Sequence, residues 1–280
     1  MKTILYATDC STHDTDTLHY AHELCGHLKL NLTLLHIYQI PPIQVSTIRP
    51  RKHLSAHAHD EQLTLLEEYA SKHLKDSKLN TKVIFEVVEN SSVSDGILSK
   101  TRELSPELLL IGMKDEHTAR GIFSGSIAKA LFEKVRCPLL TVPNSHRFKR
   151  LETIVYATDF EEDDIYAIRS LVKIAEPSNA SLNIVHIATE GERDANDQME
   201  WFKEMLRQKV TYDHIIFDIT SDDTVYDGIR SYISSKKADL LVLLEREEKG
   251  FLNKLFHKDL TKKIESNINI PLLSFNQVYV

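Results

Sequence analysis

The sequence predicts an α/β protein made of two doubly wound, parallel five-stranded sheets in tandem. Three observations predict this. Short apolar runs such as Leu108-Leu109-Leu110-Ile111 show no polar alternation, the composition of strands buried on both faces. These runs alternate with segments whose apolar residues recur at helical spacing, which is the order of βαβ units. The chain also repeats itself. Ile4-Leu5-Tyr6-Ala7-Thr8-Asp9 returns as Ile154-Val155-Tyr156-Ala157-Thr158-Asp159, and Leu35-His36-Ile37 as Val185-His186-Ile187. Asp95-Gly96-Ile97 returns as Asp227-Gly228-Ile229, and Cys137-Pro138-Leu139-Leu140 as Ile270-Pro271-Leu272-Leu273. The chain is a tandem duplication whose second copy is shortened in its middle. We place the two domains at residues 1–145 and 151–280.

In the first copy, a strand over Ile4–Asp9 is followed by Ser11-x-x-Asp14, a capping-box pattern that opens a helix. Leu18, Ala21, Leu24, Cys25 and Leu28 supply that helix with an apolar face. A second strand over Leu32–Tyr38 is stopped by Pro41-Pro42. After a loose segment to about Arg51, Leu54, Ala58, Leu65, Leu66, Tyr69 and Leu74 define a second helix. A third strand spans Val83–Val88, a third helix runs from about Ser92 to Leu104, and Glu107–Gly112 forms the fourth strand. Gly125-Ser126 opens the last helix, with Ile127, Ala130, Leu131, Phe132 and Val135 on one face, and Cys137–Val142 is the closing strand. The second copy follows the same order. We expect helices near 162–176, 194–209, 222–235 and 254–267, and strands near 181–188, 213–219, 239–244 and 270–275. The join, Asn144 to Arg150, is short and basic, which predicts that the domains pack together.

Length and composition exclude several classes. With 280 residues, 42% hydrophobic and 27% charged, each half can bury a core of ordinary size. No apolar run approaches the roughly 20 residues of a membrane span. Met1-Lys2-Thr3 leads straight into strand-like sequence, so no signal peptide is expected. Cys10, Cys25 and Cys137 are odd in number and scattered, and the expected setting is the reducing cytoplasm. Residues 1–146 carry 16 basic and 17 acidic residues; residues 151–280 carry 15 and 24. An acidic chain without a basic stripe argues against nucleic-acid binding.

The most informative stretch is Glu107 to Val142. A buried strand ends at Gly112, a polar loop carries Lys114, Asp115, His117 and Arg120, and a helix starts at Gly125-Ser126. A helix start presents unpaired backbone N–H groups, which makes it a ready anion site, with phosphate the usual anion. The alternative is a simple strand–loop–helix connection with a serine cap.

This stretch resembles the universal stress protein family, whose pattern is a strand, Gly-x2-Gly, nine residues, Gly-Ser or Gly-Thr, a helix, and a Cys-Pro-aliphatic strand. Gly112, Gly125-Ser126 and Arg136-Cys137-Pro138-Leu139-Leu140 match it; Asp115 stands where the middle glycine would be. The resemblance implies an adenine-nucleotide alpha-hydrolase-like fold with strand order 3-2-1-4-5. It also implies closing strands that pair across a dimer, suiting Pro138–Val142 and Pro271–Phe275, so the copies would form an intramolecular pseudo-dimer or, between chains, a homodimer. With that order, the crevice where ligands bind lies between the ends of the first and fourth strands. By resemblance, Asp9 and the backbone of Ala7 and Ile37 would hold adenosine. Gly112, Gly125, Ser126 and Ile127 would hold the phosphates of ATP with Mg²⁺. Asp9 has an alternative use as a cap for the following helix, together with Ser11.

Asp115 opposes this. A carboxylate about 4 Å from a phosphate costs roughly 1 kcal/mol in water-like surroundings and about 4 kcal/mol near a protein surface. Lys114 and Arg120 could offset it and Mg²⁺ could reverse it, so the first copy reads as a weakened ATP site. In the second copy Leu244 stands at the Gly112 position, followed by Glu245-Arg246-Glu247-Glu248, and His257-Lys258-Asp259 lie near the Gly125-Ser126 position. Asp159-Phe160 runs into Glu161-Glu162-Asp163-Asp164, acids that satisfy a helix dipole where phosphates would sit. That half is expected not to bind ATP.

Other candidates carry less. His53, His57, His59 and Asp60 fall short of converging zinc ligands, His19, His22 and Cys25 read as helix packing, and His36 and His186 as core histidines. Trp201, Phe202, Met205 and Leu206 form a face for a sheet or a partner. No nucleophile elbow, Cys-x-x-Cys pair or Walker motif is present. Two functions stand out. One is a stress-response nucleotide-binding protein, not an enzyme beyond slow ATP hydrolysis. The other is a nucleotide-independent interaction or dimerisation module.

Overall fold

In a computed structural model of the protein, the described residues are 2–40, 51–75, 77, 79–113, 125–144, 146–190, 192, 194–245 and 269–276, with backbone alone at 51–54 and 125–126. They form two compact units, residues 1–137 with 144–148 and residues 138–143 with 149–280.

The first unit runs β1 (Thr3–Ala7), a single 3-10 turn (Thr12–Asp14), α1 (Thr15–Leu28), β2 (Asn31–Tyr38), α2 (Arg51–Leu74), β3 (Val83–Glu89), α3 (Val93–Leu104), β4 (Leu108–Gly112) and α4 (Gly125–Lys134). Its strands lie in the order β3-β2-β1-β4, all parallel. β1 and β4 are buried at every residue, as their unbroken apolar sequence requires.

The second unit contains β5 (Leu139–Val142), β6 (Thr153–Ala157), α5 (Glu162–Ala175), β7 (Ser181–Ala188), α6 (Ala195–Lys209), β8 (Ile215–Ser221), α7 (Val225–Lys236), β9 (Leu240–Glu245) and β10 (Leu272–Asn276). Here β8-β7-β6-β9-β10 are parallel, the 3-2-1-4-5 order complete in one copy. β5, the closing strand of the first copy in sequence, groups with this unit and runs antiparallel to β10, pairing Leu140 with Leu273. The Thr141 hydroxyl donates to the Leu272 carbonyl at 3.3 Å across that pair. The helix expected near 254–267 lies outside the described residues.

Corresponding aromatic residues fill the two cores. Tyr6 and Tyr156, at the same strand position in each copy, are fully buried, as are Phe202 and Phe275. Truncating such a side chain to alanine costs about 3–5 kcal/mol. Each helix that follows an edge strand approaches its sheet through a glycine. A Cβ on Gly96 would lie 2.9 Å from Ile37, and one on Gly228 2.4 Å from Ile187. The edge strands share a second device, a carboxylate at mid-strand held by the following helix. Glu86 of β3 accepts from Lys100 at 3.2 Å, and Asp218 of β8 accepts from Tyr232 and from Lys236, the latter at 2.9 Å.

Candidate functional site

The carboxyl ends of β1, β2 and β4 meet because β1 is flanked by both other strands: Ala7 pairs with Leu35 on one side and Ile111 on the other. Ala7 is buried at the end of β1, and Ile37 is buried in β2 opposite Val88. Gly112 is the last residue of β4, and α4 begins at Gly125, with Ile127 half-buried in its first turn. Ala7, Asp9, Ile37 and Gly112 thus stand at one end of one sheet. Asp115 lies outside the described residues, as do Lys114 and Arg120; of Gly125 and Ser126 the backbone alone is described.

The turn after β1 is built differently from the expected capping box. The 3-10 turn intervenes, and Ser11 makes no side-chain cap. Asp9 forms a tight turn of its own, its Oδ1 accepting from the Ser11 N–H at 2.9 Å, the N–H that the box would give to Asp14. Asp14 is drawn inward: its Oδ2 accepts from the Thr8 hydroxyl at 2.6 Å, and its main-chain carbonyl accepts from the Tyr6 hydroxyl at 3.2 Å. A carboxylate buried to this degree needs such donors, because leaving it unpaired costs more than an exposed cap returns. The Tyr-x-Thr-x5-Asp spacing, repeated in the second copy, is the sequence signal for this network. In that copy Asp164 accepts from Tyr156 at 2.8 Å, from Thr158 at 2.8 Å and from the Glu161 N–H at 3.1 Å, the last as part of a capping box with Glu161.

Both turns pass through a left-handed residue, Cys10 at φ 57° and Phe160 at φ 62°. Such a backbone costs about 1–2 kcal/mol for a residue with a side chain. Its presence in both copies marks it as part of the turn, independent of any ligand. Beneath it, the Nδ1 of His36 lies 3.0 Å from the Thr8 carbonyl and that of His186 2.9 Å from the Thr158 carbonyl, so both histidines tie β1 or β6 to its neighbour as core residues.

Among the described residues, carboxylates and thiols set the chemistry of the first crevice. Burial, then the carboxylates of Asp9 and Asp14, push the Cys10 thiol up to about 12. Burial likewise raises Cys25 and Cys137 to about 12, so none of the three supplies a thiolate near neutrality. Burial, then Asp14, raises the Tyr69 hydroxyl, which reaches the same cluster from α2. Residues 7–16, 36–40, 111–113 and 125–128 contain no lysine or arginine. An anion here would be held by the α4 N-terminus and backbone N–H groups.

Gly112 has a packing role of its own. A Cβ there would lie 2.8 Å from Asp14 Oδ1 and 3.0 Å from Thr17 Oγ1, so the absence of a side chain lets α1 close on β4. The buried Thr17 hydroxyl has no hydrogen-bond partner among the described residues. In the second copy the same two positions are Leu244 and Ala167, both buried and apolar. His57, Asp60, Glu61 and Thr64 line an open groove on α2 far along the chain from these strand ends; His57 pairs with Glu61 at 3.2 Å. Among the described residues no group of three metal-binding side chains converges. None of the described helices is long and apolar enough to cross a membrane.

The Universal stress protein family model matches residues 1–143. Among solved structures, a universal stress protein from Archaeoglobus fulgidus DSM 4304 is similar at TM-score 0.72 and 12% identity, covering 98% of each chain. A functionally unknown protein from Pseudomonas aeruginosa PAO1 is 14% identical, with TM-score 0.59 over 99% of this chain and 92% of its own. The cytoplasmic domain of a prokaryotic cation chloride cotransporter is 11% identical, with TM-score 0.58 over 100% of this chain and 97% of its own. At such identities the likeness is one of fold. No curated protein matches the sequence.

Proposed function

The chain belongs to the universal stress protein family, and on that premise we propose that it is a stress-response protein whose first copy holds an adenine nucleotide with modest affinity. The observation that carries this reading is the position of β1 between β2 and β4, which opens a crevice at their carboxyl ends just before α4 begins. In this reading the backbone of Ala7 and Ile37 and the turn at Asp9 receive adenosine. The backbone at Gly112 and the first turn of α4, Gly125, Ser126 and Ile127, receive phosphates. The described residues fit such a ligand through backbone donors and a polar turn. They supply no cation of their own, so Mg²⁺ would come with the nucleotide and offset Asp115. Among the described residues we assign no base and no catalytic step.

The second copy is read as nucleotide-free. Leu244 fills the Gly112 position, and Glu162, Asp163 and Asp164 occupy the first turn of α5. Its role is structural or directed at partners, consistent with Trp201 standing 53% exposed on α6. The reading that the whole chain acts without nucleotide gains from Asp115.

Calorimetric titration of ATP with Mg²⁺ into nucleotide-free protein decides between them. We expect one site per chain, weakened by about 1–4 kcal/mol in Gly125→Glu, which places a carboxylate at the phosphate position. Unchanged binding in that variant overturns the placement, and absence of binding favours the nucleotide-independent module.

A further inference from the structure

Two histidines at matching places, His36 of β2 and His186 of β7, are held alike at one ring nitrogen and differently at the other. His186 is fully engaged. Its Nδ1 lies 2.9 Å from the Thr158 carbonyl and its Nε2 2.7 Å from Glu192 Oε1. The Phe160 ring packs on the same imidazole at 4.6 Å, with Phe202 of α6 behind it at 5.7 Å. His36 repeats only the first contact. Its Nδ1 lies 3.0 Å from the Thr8 carbonyl and 3.8 Å from Cys10 Sγ, and among the described residues its Nε2 meets no partner. Cys10 stands where Phe160 does, and no Asp or Glu occurs between Gln39 and His59 to take the part of Glu192.

The shared contact fixes what the other nitrogen offers. A carbonyl only accepts, so in the neutral ring the hydrogen sits on Nδ1 and Nε2 presents a lone pair. It also fixes where that lone pair points. In the second copy Nε2 is met by Glu192, which comes from beyond Ala188, the last residue of β7. The frame beneath is the same in both copies, with the Thr8 N–H donating to the Leu35 carbonyl at 2.9 Å and the Thr158 N–H to the Val185 carbonyl at 3.0 Å. Nε2 of His36 therefore faces the carboxyl ends of β1 and β2, beside Ala7 and Ile37. The residue is 8% exposed, and a buried acceptor without a donor calls for one from outside the fold.

We propose that His36 Nε2 reads the ligand of the first crevice by accepting a hydrogen bond from its nucleoside, either from the 6-amino group of adenine or from a ribose hydroxyl. This rests on the reading of that crevice as an adenine-nucleotide site. Ionised phosphate only accepts, so the lone pair has no use for that end of the ligand. The contact discriminates between nucleosides and neutralises no charge. Its counterpart in the second copy is already taken by Glu192, in keeping with a copy that holds no nucleotide.

The test is calorimetric titration, with Mg²⁺, of ATP, purine riboside triphosphate (which lacks the 6-amino group), 2′-deoxy-ATP and 3′-deoxy-ATP into the full chain and into His36→Asn. Asparagine keeps an amide N–H for the Thr8 carbonyl and has no atom at the Nε2 position. We expect the wild type to bind one of the three analogues about tenfold more weakly than ATP, which identifies the donor. His36→Asn should bind ATP about tenfold more weakly and that analogue as the wild type does, with thermal melting confirming that it is folded. The wild-type series needs no variant and remains the check should His36→Asn melt early. Equal affinity of the wild type for all four ligands, or a folded His36→Asn that weakens all four alike or none, overturns the proposal and leaves the nucleotide site standing. A chain that binds none of the four overturns both.

Discussion

The two copies build one turn from the same residues and fill the space around it in opposite ways. Tyr6, Thr8, Asp14 and His36 in the first copy correspond to Tyr156, Thr158, Asp164 and His186 in the second, with matching hydrogen bonds from the threonines and histidines, while Tyr6 donates to the Asp14 main-chain carbonyl and Tyr156 to the Asp164 carboxylate. Around that frame the first copy places a thiol, a glycine and a threonine at Cys10, Gly112 and Thr17; the second places Phe160, Leu244 and Ala167. The difference separates scaffold from site. What recurs in both copies holds the fold, and what differs decides whether space or polarity remains at the strand ends.

Substitutions that carry one copy toward the other test this. The largest effect is expected for Phe160→Ala, which empties the contact with His186 and Phe202 and should cost about 3–5 kcal/mol in denaturant unfolding. Cys10→Ala, at the matching position, should cost less than about 1 kcal/mol, since its thiol is small and half-exposed. A comparable loss at both positions would break the comparison.

Next come the glycines of α3 and α7. Gly228→Ala should destabilise by roughly 1–3 kcal/mol, because its Cβ would lie 2.4 Å from a branched carbon of Ile187. Gly96→Ala should cost less, the clash being with the movable end of Ile37 at 2.9 Å. Melting of the two variants under one set of conditions gives the order.

Gly112→Ala should lose roughly 1–2 kcal/mol by pushing on Asp14 and Thr17. Adding Thr17→Ala, which copies Ala167, should recover part of that loss. A double variant no better than the sum of the single ones would show that Thr17 is not what holds the glycine in place.

The smallest effect is one of pH. Burial lowers the affinity of His22 for a proton, and its position in the second copy is Val172. The unfolded chain therefore takes up this proton first as pH falls below the ordinary histidine value near 6.5. The folded state loses stability from there down to the lowered value, and no effect arises above it. His22→Val should flatten the slope of stability against pH across that acid window, while an unchanged slope would assign it to other groups.

Much of this was legible from residues alone. Unbroken apolar runs placed β4 and β9, and the repeat placed β6 and β7 by their counterparts β1 and β2, because burial on both faces leaves little else such runs can do. One feature was legible only through the resemblance, and one was not legible. β5 reads as the end of the first copy yet groups with the second unit; its pairing with β10 is the one the resemblance implied for the closing strands, though its partner lies 133 residues further on and nothing in the local sequence names it. Ser11 and Asp14 read as a capping box, but Asp9 takes the Ser11 N–H, the Ser11 side chain makes no cap, and Asp14 is claimed by Thr8. A local preference worth about 1 kcal/mol yields to the need of a buried carboxylate. Of the candidate site, Ala7, Asp9, Ile37 and Gly112 came together as the topology requires, while the packing role of Gly112 depends on Thr17, which no motif singles out.

The carboxylates in the middle of β3 and β8 bear on how this protein keeps its own company. An outermost strand offers unpaired backbone to any extended chain that drifts by, and at high concentration that invites fibres. A strand added beside β3 would crowd Glu86 with its Lys100 partner, and one added beside β8 would crowd Asp218 with Tyr232 and Lys236. Both flanks are thereby made poor templates for a further strand, so the fold can be held at high concentration without seeding its own aggregation.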